Sequence, residues 1–286
     1  MKDLVLNMTM QRKKGKSRLK WILLGIFTVV LLPMGLLQLL QEKFIFLPTD
    51  LDLDYQYEFR QNYDELFLNA ADGAQLNALH FQTEAPQGLV IYFHGNAGDL
   101  SRWGDIVQDV VARNWDVLVM DYRTYGKSTG ELSEAALYSD AQLFYDYAKT
   151  IQSEDKIIVY GRSLGCAMAT KVAGQNNPSQ LILETPFYNL YDIAKQRFPF
   201  LPTESMLNYK FENNKNIAAV RCRITIFQGT EDQVVPYDSA KKLYDALEDD
   251  NHQFITIRGG AHNNLVEFNT FHKELDNLLL AKKTAP

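Results

Sequence analysis

The sequence predicts an α/β domain on a largely parallel, eight-stranded sheet with helices on both faces, preceded by one transmembrane helix. Three observations carry that prediction. From Glu65 onward, short runs rich in Val, Ile, Leu, Phe and Tyr alternate with longer stretches of helical periodicity. Residues 21–41, WILLGIFTVVLLPMGLLQLLQ, contain no charge. The run KIIVY passes straight into Gly161-Arg162-Ser163-Leu164-Gly165 and then into the small helix formers CAMATKVAG.

Composition fits a folded domain. With 46% hydrophobic and 22% charged residues in 286, the chain excludes disorder and collagen. The two cysteines, Cys166 and Cys222, lack Cys-x-x-Cys spacing, which leaves a disulfide framework, a cysteine-rich zinc site and redox chemistry without support.

At the N-terminus, residues 1–20 hold seven Lys or Arg against one acid, so the rest carries −12 beneath an overall −6. A basic tail can signal nucleic acid, but this one abuts an uncharged run, and that position points to a membrane instead. About 20 apolar residues rising 1.5 Å each span a hydrocarbon core of ~30 Å. Trp21 and Lys20 suit its interface, and Pro33 and Gly35 are tolerated within it. A cleavable signal peptide would be shorter and end in a small-x-small site, which LLQLLQE at 36–42 lacks. Residues 1–20 therefore read as a cytoplasmic tail and 21–41 as the membrane helix. The positive-inside rule holds Arg12, Lys13, Lys14, Lys16, Arg18 and Lys20 in the cytoplasm and sends the remainder across, into the periplasm if the cell is Gram-negative.

Residues 42–64 form an aromatic, acidic connector without periodicity, and 65–286 the domain. Its first strands, Glu65–Asn69 and Leu76–Phe81, flank Ala71-Asp72-Gly73 as a hairpin. Strands follow at Leu89–Phe93, Asp116–Met120, Lys156–Tyr160, Gln180–Glu184, Ile224–Phe227 and Phe254–Arg258, with helices near 99–113, 133–150, 164–175, 238–248 and 263–280. The long strandless interval at 186–220 is too long for a plain connection and reads as a lid-like insertion. Its Phe187, Tyr188, Phe198, Phe200, Leu201 and Tyr209 suit either an acyl channel or ordinary packing.

The Gly-x-Ser-x-Gly run sits where a nucleophile elbow would. A sharp strand-to-helix turn crowds the backbone, so small residues must stand two positions either side of Ser163. The turn also presents the hydroxyl at a helix N-terminus, where the Leu164 N–H and the helix dipole favour a developing oxyanion. A serine hydroxyl is a poor nucleophile near neutrality, so a base and an orienting acid are required, in the chain order Ser, acid, His.

Three histidines follow Ser163. His262, in GGAHNNL, comes after a strand; His252 comes before it, at the other edge; His272 lies in an amphipathic helix. Asp232 follows strand ITIFQG, with Glu231 as its neighbouring alternative, while Asp238 and Asp245 read as a solvated helix face. Strand LVIYF runs into His94-Gly95-Asn96-Ala97-Gly98, a loop of the type that lends the second oxyanion donor, assigned to Asn96; the ring of His94 reads as a prop for that loop.

Six motifs, YFHGNAGDLSRW, DYRTYGKSTG, VYGRSLGCAMA, LETPF, GTEDQVVP and GGAHNNL, occur in order over roughly residues 65–280. In these the chain resembles the membrane-anchored serine hydrolases of α/β-hydrolase fold that include lysophospholipid lipases and protein depalmitoylases. The resemblance implies Ser163 as nucleophile, Asp232 as acid, His262 as base, and Asn96 and Leu164 as oxyanion donors. The family's DYRGYG-like segment here carries Thr124 in the usual glycine position, beside Asp121 and Arg123, which read as loop-fixing residues.

These readings converge on an anchored hydrolase of lipid-like carboxylic esters or thioesters. No metal or cofactor is called for, because side chains and backbone dipoles supply nucleophile, base and oxyanion donors. The expected partners are a small-molecule or lipid ester and the membrane, with no nucleic acid. The alternatives are a silent binding protein on the same fold, whose mark would be loss of a triad member, and a serine peptidase, for which an insertion of about 35 residues is small.

Overall fold

The computed structural model describes residues 20, 21, 24, 25, 28, 29, 32–248 and 251–280. The basic tail up to residue 19, and residues 22, 23, 26, 27, 30 and 31 of the expected membrane helix, lie outside the described residues.

The hairpin expected around Ala71-Asp72-Gly73 opens the sheet. Strand β1 (Tyr63–Asn69) pairs antiparallel with β2 (Gln75–Phe81), and Gly73 takes the positive φ of +89° that the turn requires. Strands β3 (Leu89–Phe93), β4 (Asp116–Met120), β5 (Ile157–Arg162), β6 (Gln180–Glu184), β7 (Arg223–Gly229) and β8 (Gln253–Ile257) follow. They form one eight-stranded sheet in the order β1-β2-β4-β3-β5-β6-β7-β8, parallel from β4 through β8 and antiparallel at the β1–β2–β4 edge. The central strands are apolar throughout because both faces are covered, which is why LVIYF and DVLVM show no alternation.

On one face, Val90, Tyr92, Val117, Val119, Ile158, Tyr160, Ile182 and Phe227 pack with helix α2 (Leu100–Val111) and the last helix, Asn269–Leu279. On the other lie α3 (Glu134–Ile151) and α4 (Gly165–Gln175), packed on each other and against β3 and β5. Caps set two of the starts: Asp99 accepts from Ser101 N at 2.7 Å before α2, and Ser133 from Ala136 N at 3.1 Å before α3. The last helix begins at Asn269, later than the pattern from 263 suggests. Asn264 Oδ1 instead accepts from Ala261 N, and a 3₁₀ turn at Leu265–Glu267 fills the gap, so His262 sits on a loop.

Between β6 and β7 the chain forms helix α5 (Leu190–Arg197), short helical turns at Thr203–Met206 and Asn213–Asn216, and a 3₁₀ turn at Ile217–Ala219. Helix α6 (Tyr237–Tyr244) then packs on β7.

One small element had no sequence signal. Leu47–Pro48 pairs in parallel with Ala97–Gly98, two residues against two. Thr49 N then donates to Gly98 O, Gly126 N to Thr49 O and Leu51 N to Gly126 O.

The structure divides into two units: residues 46–203 with 209 onward, which carry the sheet, and the N-terminal residues through Ile45 with Glu204–Asn208. In the latter, helix α1 (Leu32–Ile45) continues through Glu42 and Lys43 beyond the uncharged run. Gln41 Oε1 accepts from Asn208 N at 2.8 Å, and its Nε2 donates to Gln38 O at 2.7 Å. Among the described residues no helix is long and apolar enough to cross a membrane.

Candidate active site

Strand β5 ends at Arg162 and α4 begins at Gly165, leaving Ser163 and Leu164 to make the whole turn. Ser163 is held at φ +52°, a left-handed conformation that costs a non-glycine residue ~1–2 kcal/mol and persists where the surroundings impose it. The reason for the two glycines is steric. A Cβ on Gly165 would fall 1.9 Å from Phe93 O, and one on Gly161 would fall 2.6 Å from Ala169 Cβ and 2.7 Å from Gly165 O. Ser163 N donates to Glu184 O at 2.8 Å, which ties the turn to the end of β6.

The three side chains expected to act together lie in one hydrogen-bonded chain. His262 Nε2 is 2.9 Å from Ser163 Oγ, and His262 Nδ1 is 2.8 Å from Asp232 Oδ2. A carboxylate only accepts, so Nδ1 carries the proton and Nε2 offers its lone pair to the serine hydroxyl. Asp232 is itself fixed: Oδ1 accepts from Val234 N and Val235 N, each at 2.8 Å, and Oδ2 from Gln228 Nε2 at 3.1 Å. Gln228 also donates to Val235 O at 3.0 Å. Nothing in the local pattern marks Gln228, since it reads as one more residue of β7.

The competing residues lie elsewhere. Glu231 is exposed, with its backbone N donating to Gly260 O at 2.8 Å. His252 Nδ1 accepts from Ile224 N at 3.1 Å, at the start of β7 and so at the opposite sheet edge. His272 Nε2 pairs with Val266 O at 2.7 Å on the outside of the last helix.

The loop after β3 runs beside the serine; a Cβ on Gly95 would lie 3.7 Å from Ser163 Cβ and 3.1 Å from the Trp103 ring. His94 is fully buried and serves as the expected prop. Its Nδ1 donates to Gly95 O at 2.6 Å, its ring stacks on Trp103 at 5.2 Å, and its Nε2 faces Asp121 Oδ1 at 3.3 Å. In a trans peptide C=O and N–H point opposite ways, so fixing Gly95 O turns the Asn96 N–H away from the ring. Leu164, buried at the α4 N-terminus, brings its amide from the serine's own turn. Burial holds the Asp121 carboxyl above the usual carboxylate range, opposed by the neighbouring His94 ring. Its Oδ2 accepts from Leu100 N at 3.2 Å. Arg123 clamps Asp140 through Nε and Nη2 at 2.7 and 2.9 Å and reaches Asp72 as well, in keeping with a loop-fixing role.

Beneath the turn, Arg162 Nε meets Glu184 Oε1 at 3.1 Å, and Tyr160 Oη donates to Glu184 Oε2 at 2.7 Å. Both members of this pair are buried, so its value lies in fixing geometry more than in net stability. Their place two residues or fewer from the ends of β5 and β6 was the available signal. Among the described residues no group of three or more His, Cys, Asp or Glu is placed to hold a metal ion.

Of the expected channel residues, Phe187 and Tyr209 are buried, Tyr188 and Leu201 half-buried, and Phe198 and Phe200 exposed, Phe200 at 98%.

A hydrolase family model described as serine aminopeptidase, S33, matches residues 84–211. The chain is 29% identical over 266 residues to the α/β-hydrolase domain-containing protein WAV2 of Arabidopsis thaliana, covering 83% of this chain and 86% of that one. It is 29% identical over 209 residues to lysophosphatidylserine lipase ABHD12 of Xenopus tropicalis, covering 65% of this chain and 52% of the relative. Among solved structures, the Pyrococcus furiosus esterase Pf2001 superposes with a TM-score of 0.65 at 15% identity, over 82% of this chain and 96% of the esterase.

Proposed function

Since the chain belongs to the α/β-hydrolase family of serine hydrolases, we propose that it is a membrane-anchored enzyme cleaving carboxylic esters or thioesters of lipid-like acyl substrates. The observation that carries this reading is the continuous chain Ser163 Oγ, His262, Asp232, buried at the C-terminal edge of the parallel strands. In the proposed reaction Ser163 Oγ bonds to the acyl carbon while His262 Nε2 takes the hydroxyl proton, and Asp232 stabilises the imidazolium. The negative charge on the carbonyl oxygen is met by the Asn96 and Leu164 N–H groups. The C–O or C–S bond to the leaving group then breaks as His262 returns the proton to it. Water repeats the sequence on the acyl-enzyme and releases the acid.

Two observations support lipid-like substrates and an anchor. Relatives carry the name lysophosphatidylserine lipase. Leu32, Leu36, Leu39, Leu40 and Phe44 of α1 are exposed, an apolar surface that costs free energy in water and is natural in hydrocarbon. In this proposal 21–41 crosses the bilayer, the basic tail stays cytoplasmic, and the domain of residues 65–286 works on the far side, its segment 186–220 covering the acyl chain. The description of the matching family model favours peptide hydrolysis as the second reading.

The test is labelling of the full chain in detergent with a fluorophosphonate, alongside turnover of acyl-nitrophenyl esters and aminoacyl-nitroanilides. Wild type should label and cleave esters, and Ser163→Ala and His262→Ala should lose both by about a thousandfold or more while staying folded. A folded wild type that does not label would overturn the hydrolase reading, and faster anilide than ester turnover would replace it with the peptidase one.

A further inference from the structure

Five consecutive carbonyls, His94 through Gly98, each accept a hydrogen bond from within the protein, four of them from outside the loop. His94 O accepts from Tyr122 Oη at 2.7 Å and Gly95 O from His94 Nδ1 at 2.6 Å. Asn96 O accepts from both Tyr125 Oη and Leu47 N, each at 2.8 Å, Ala97 O from Trp103 Nε1 at 2.8 Å, and Gly98 O from Thr49 N at 3.1 Å. A plain surface loop leaves such groups to water. Here the loop's oxygens are tied into protein one after another.

Two of those donors come from a strap of chain, Leu47–Leu51, which begins one residue after α1. It is bound on its other side to Gly126: Gly126 N donates to Thr49 O at 2.9 Å and Leu51 N to Gly126 O at 3.0 Å. Phe46, just before the strap, is buried and packs edge-on against Tyr209 at 5.0 Å and Phe211 at 6.4 Å. Tyr125 Oη joins strap to loop, since it donates to Asn96 O and accepts from Leu47 N at 3.2 Å. The consequence falls on one residue. The peptide before Asn96 is held by His94 and the peptide after it by Tyr125 and Leu47, so both backbone dihedrals of Asn96 are set, and with them the direction of its N–H.

We propose that the strap Leu47–Leu51 and the Tyr125 hydroxyl are positioning elements of the active site, which hold the Asn96 amide aimed at the oxyanion. The proposal rests on the reading of Asn96 as an oxyanion donor. It assigns chemistry to a connector whose sequence looks like mere tether, and it makes the chain that leaves the anchor helix part of the catalytic machinery. An amide aimed at the transition state acts on kcat; one that only braces the fold acts on the amount of folded enzyme.

The experiment uses the full chain in detergent, with active serine counted by the fluorophosphonate burst so that rates refer to competent molecules. Tyr125→Phe deletes one hydroxyl and keeps the ring packed on His94 and Tyr122. Leu47→Pro deletes the amide that feeds Asn96 O. Both should lower kcat on a soluble acyl-nitrophenyl ester by about 10- to 100-fold, somewhat less than outright loss of an oxyanion donor, with KM changed by no more than about threefold. Unchanged kcat per active serine in either folded variant would overturn the proposal, as would a rise in KM alone. If Leu47→Pro fails to fold, Tyr125→Phe decides by itself. A wild type whose labelling survives Ser163→Ala would instead overturn the hydrolase reading on which the proposal rests.

Discussion

The loop His94–Gly98, which follows β3 beside Ser163, and the segment 186–220, which follows β6, are held in opposite ways. The loop is short and buried at His94, with every carbonyl engaged by a hydrogen bond from the protein. The longer segment is made of helical pieces of eight residues or fewer. Its α5 is fastened by surface-grade ties such as Asp192 to Lys242 at 3.2 Å and Arg197 Nη2 to Val234 O at 3.3 Å, and it ends in exposed Phe198 and Phe200. The difference teaches where each property of the proposed enzyme resides. Groups that must meet a transition state to within a fraction of an ångström are over-determined, whereas groups that sort substrates are left adjustable.

The sharpest break in the comparison comes from the over-determined side. Asp232→Asn keeps the shape of the carboxylate but can no longer fix the His262 tautomer, so kcat should fall by about 10²- to 10⁴-fold while the melting temperature stays close to wild type. A loss of turnover matched by a loss of folded protein would show that Asp232 serves the fold alone. On the adjustable side, Phe200→Ser should leave stability within about 0.5 kcal/mol. If the segment grips acyl chains, the same change should lower the rate on long-chain relative to short-chain esters by about tenfold, the worth of burying one such ring. An unchanged chain-length profile would detach this tip from substrate selection.

A smaller effect lies in the loop that braces the first region. Thr124 sits at φ +70°, and its buried hydroxyl has no hydrogen-bond partner among the described residues. A β-branched residue is ill suited to that conformation, so Thr124→Gly should stabilise the domain by about 1 kcal/mol, a rise of about 2–4 °C in Tm. The smallest effect concerns acid. The Arg123 bond holds the Asp72 carboxyl below its usual range, so the folded state binds that proton less readily than the unfolded one. The stabilisation is therefore full above the ordinary carboxylate pKa of ~3.9 and is lost as pH falls through the lowered folded value. Asp72 is largely exposed and screened, so Asp72→Asn should flatten only a shallow part of the Tm-against-pH curve below about pH 4.

Much of this architecture was legible in the sequence because it depends on local pattern. All eight strands of the main sheet appear within three residues of the runs that announced them, since apolar runs bounded by turn residues have few other uses. The elbow was legible for a steric reason, two glycines at fixed offsets around Ser163. His262 was separable from His252 and His272 by asking which edge of the sheet each would reach. What could not be read were partnerships across distance. Leu47–Pro48 is two residues long, includes a proline, and finds its mates some 50 residues on at Ala97–Gly98, so neither periodicity nor propensity marks it. Tyr125 and Gln228 likewise look like ordinary members of their segments, and their roles come from single polar atoms whose partners only the fold supplies.

The distance along the chain between Ser163 and His262, 99 residues, bears on how such a protein can be made. His262, the proposed base, arrives on the loop beyond β8, the last strand of the sheet, and Asp232, the proposed acid, only 30 residues before it. A growing chain folds from its N-terminal end, so the elbow can form around Ser163 while the residues that would arm it are still missing. Until β8 docks beside β7, that hydroxyl has no partner to take its proton and is as unreactive as any other serine. In the proposed enzyme, hydrolytic power would thus arrive only with residue 262, and a chain cut short just before it would carry all eight strands of the sheet without the base.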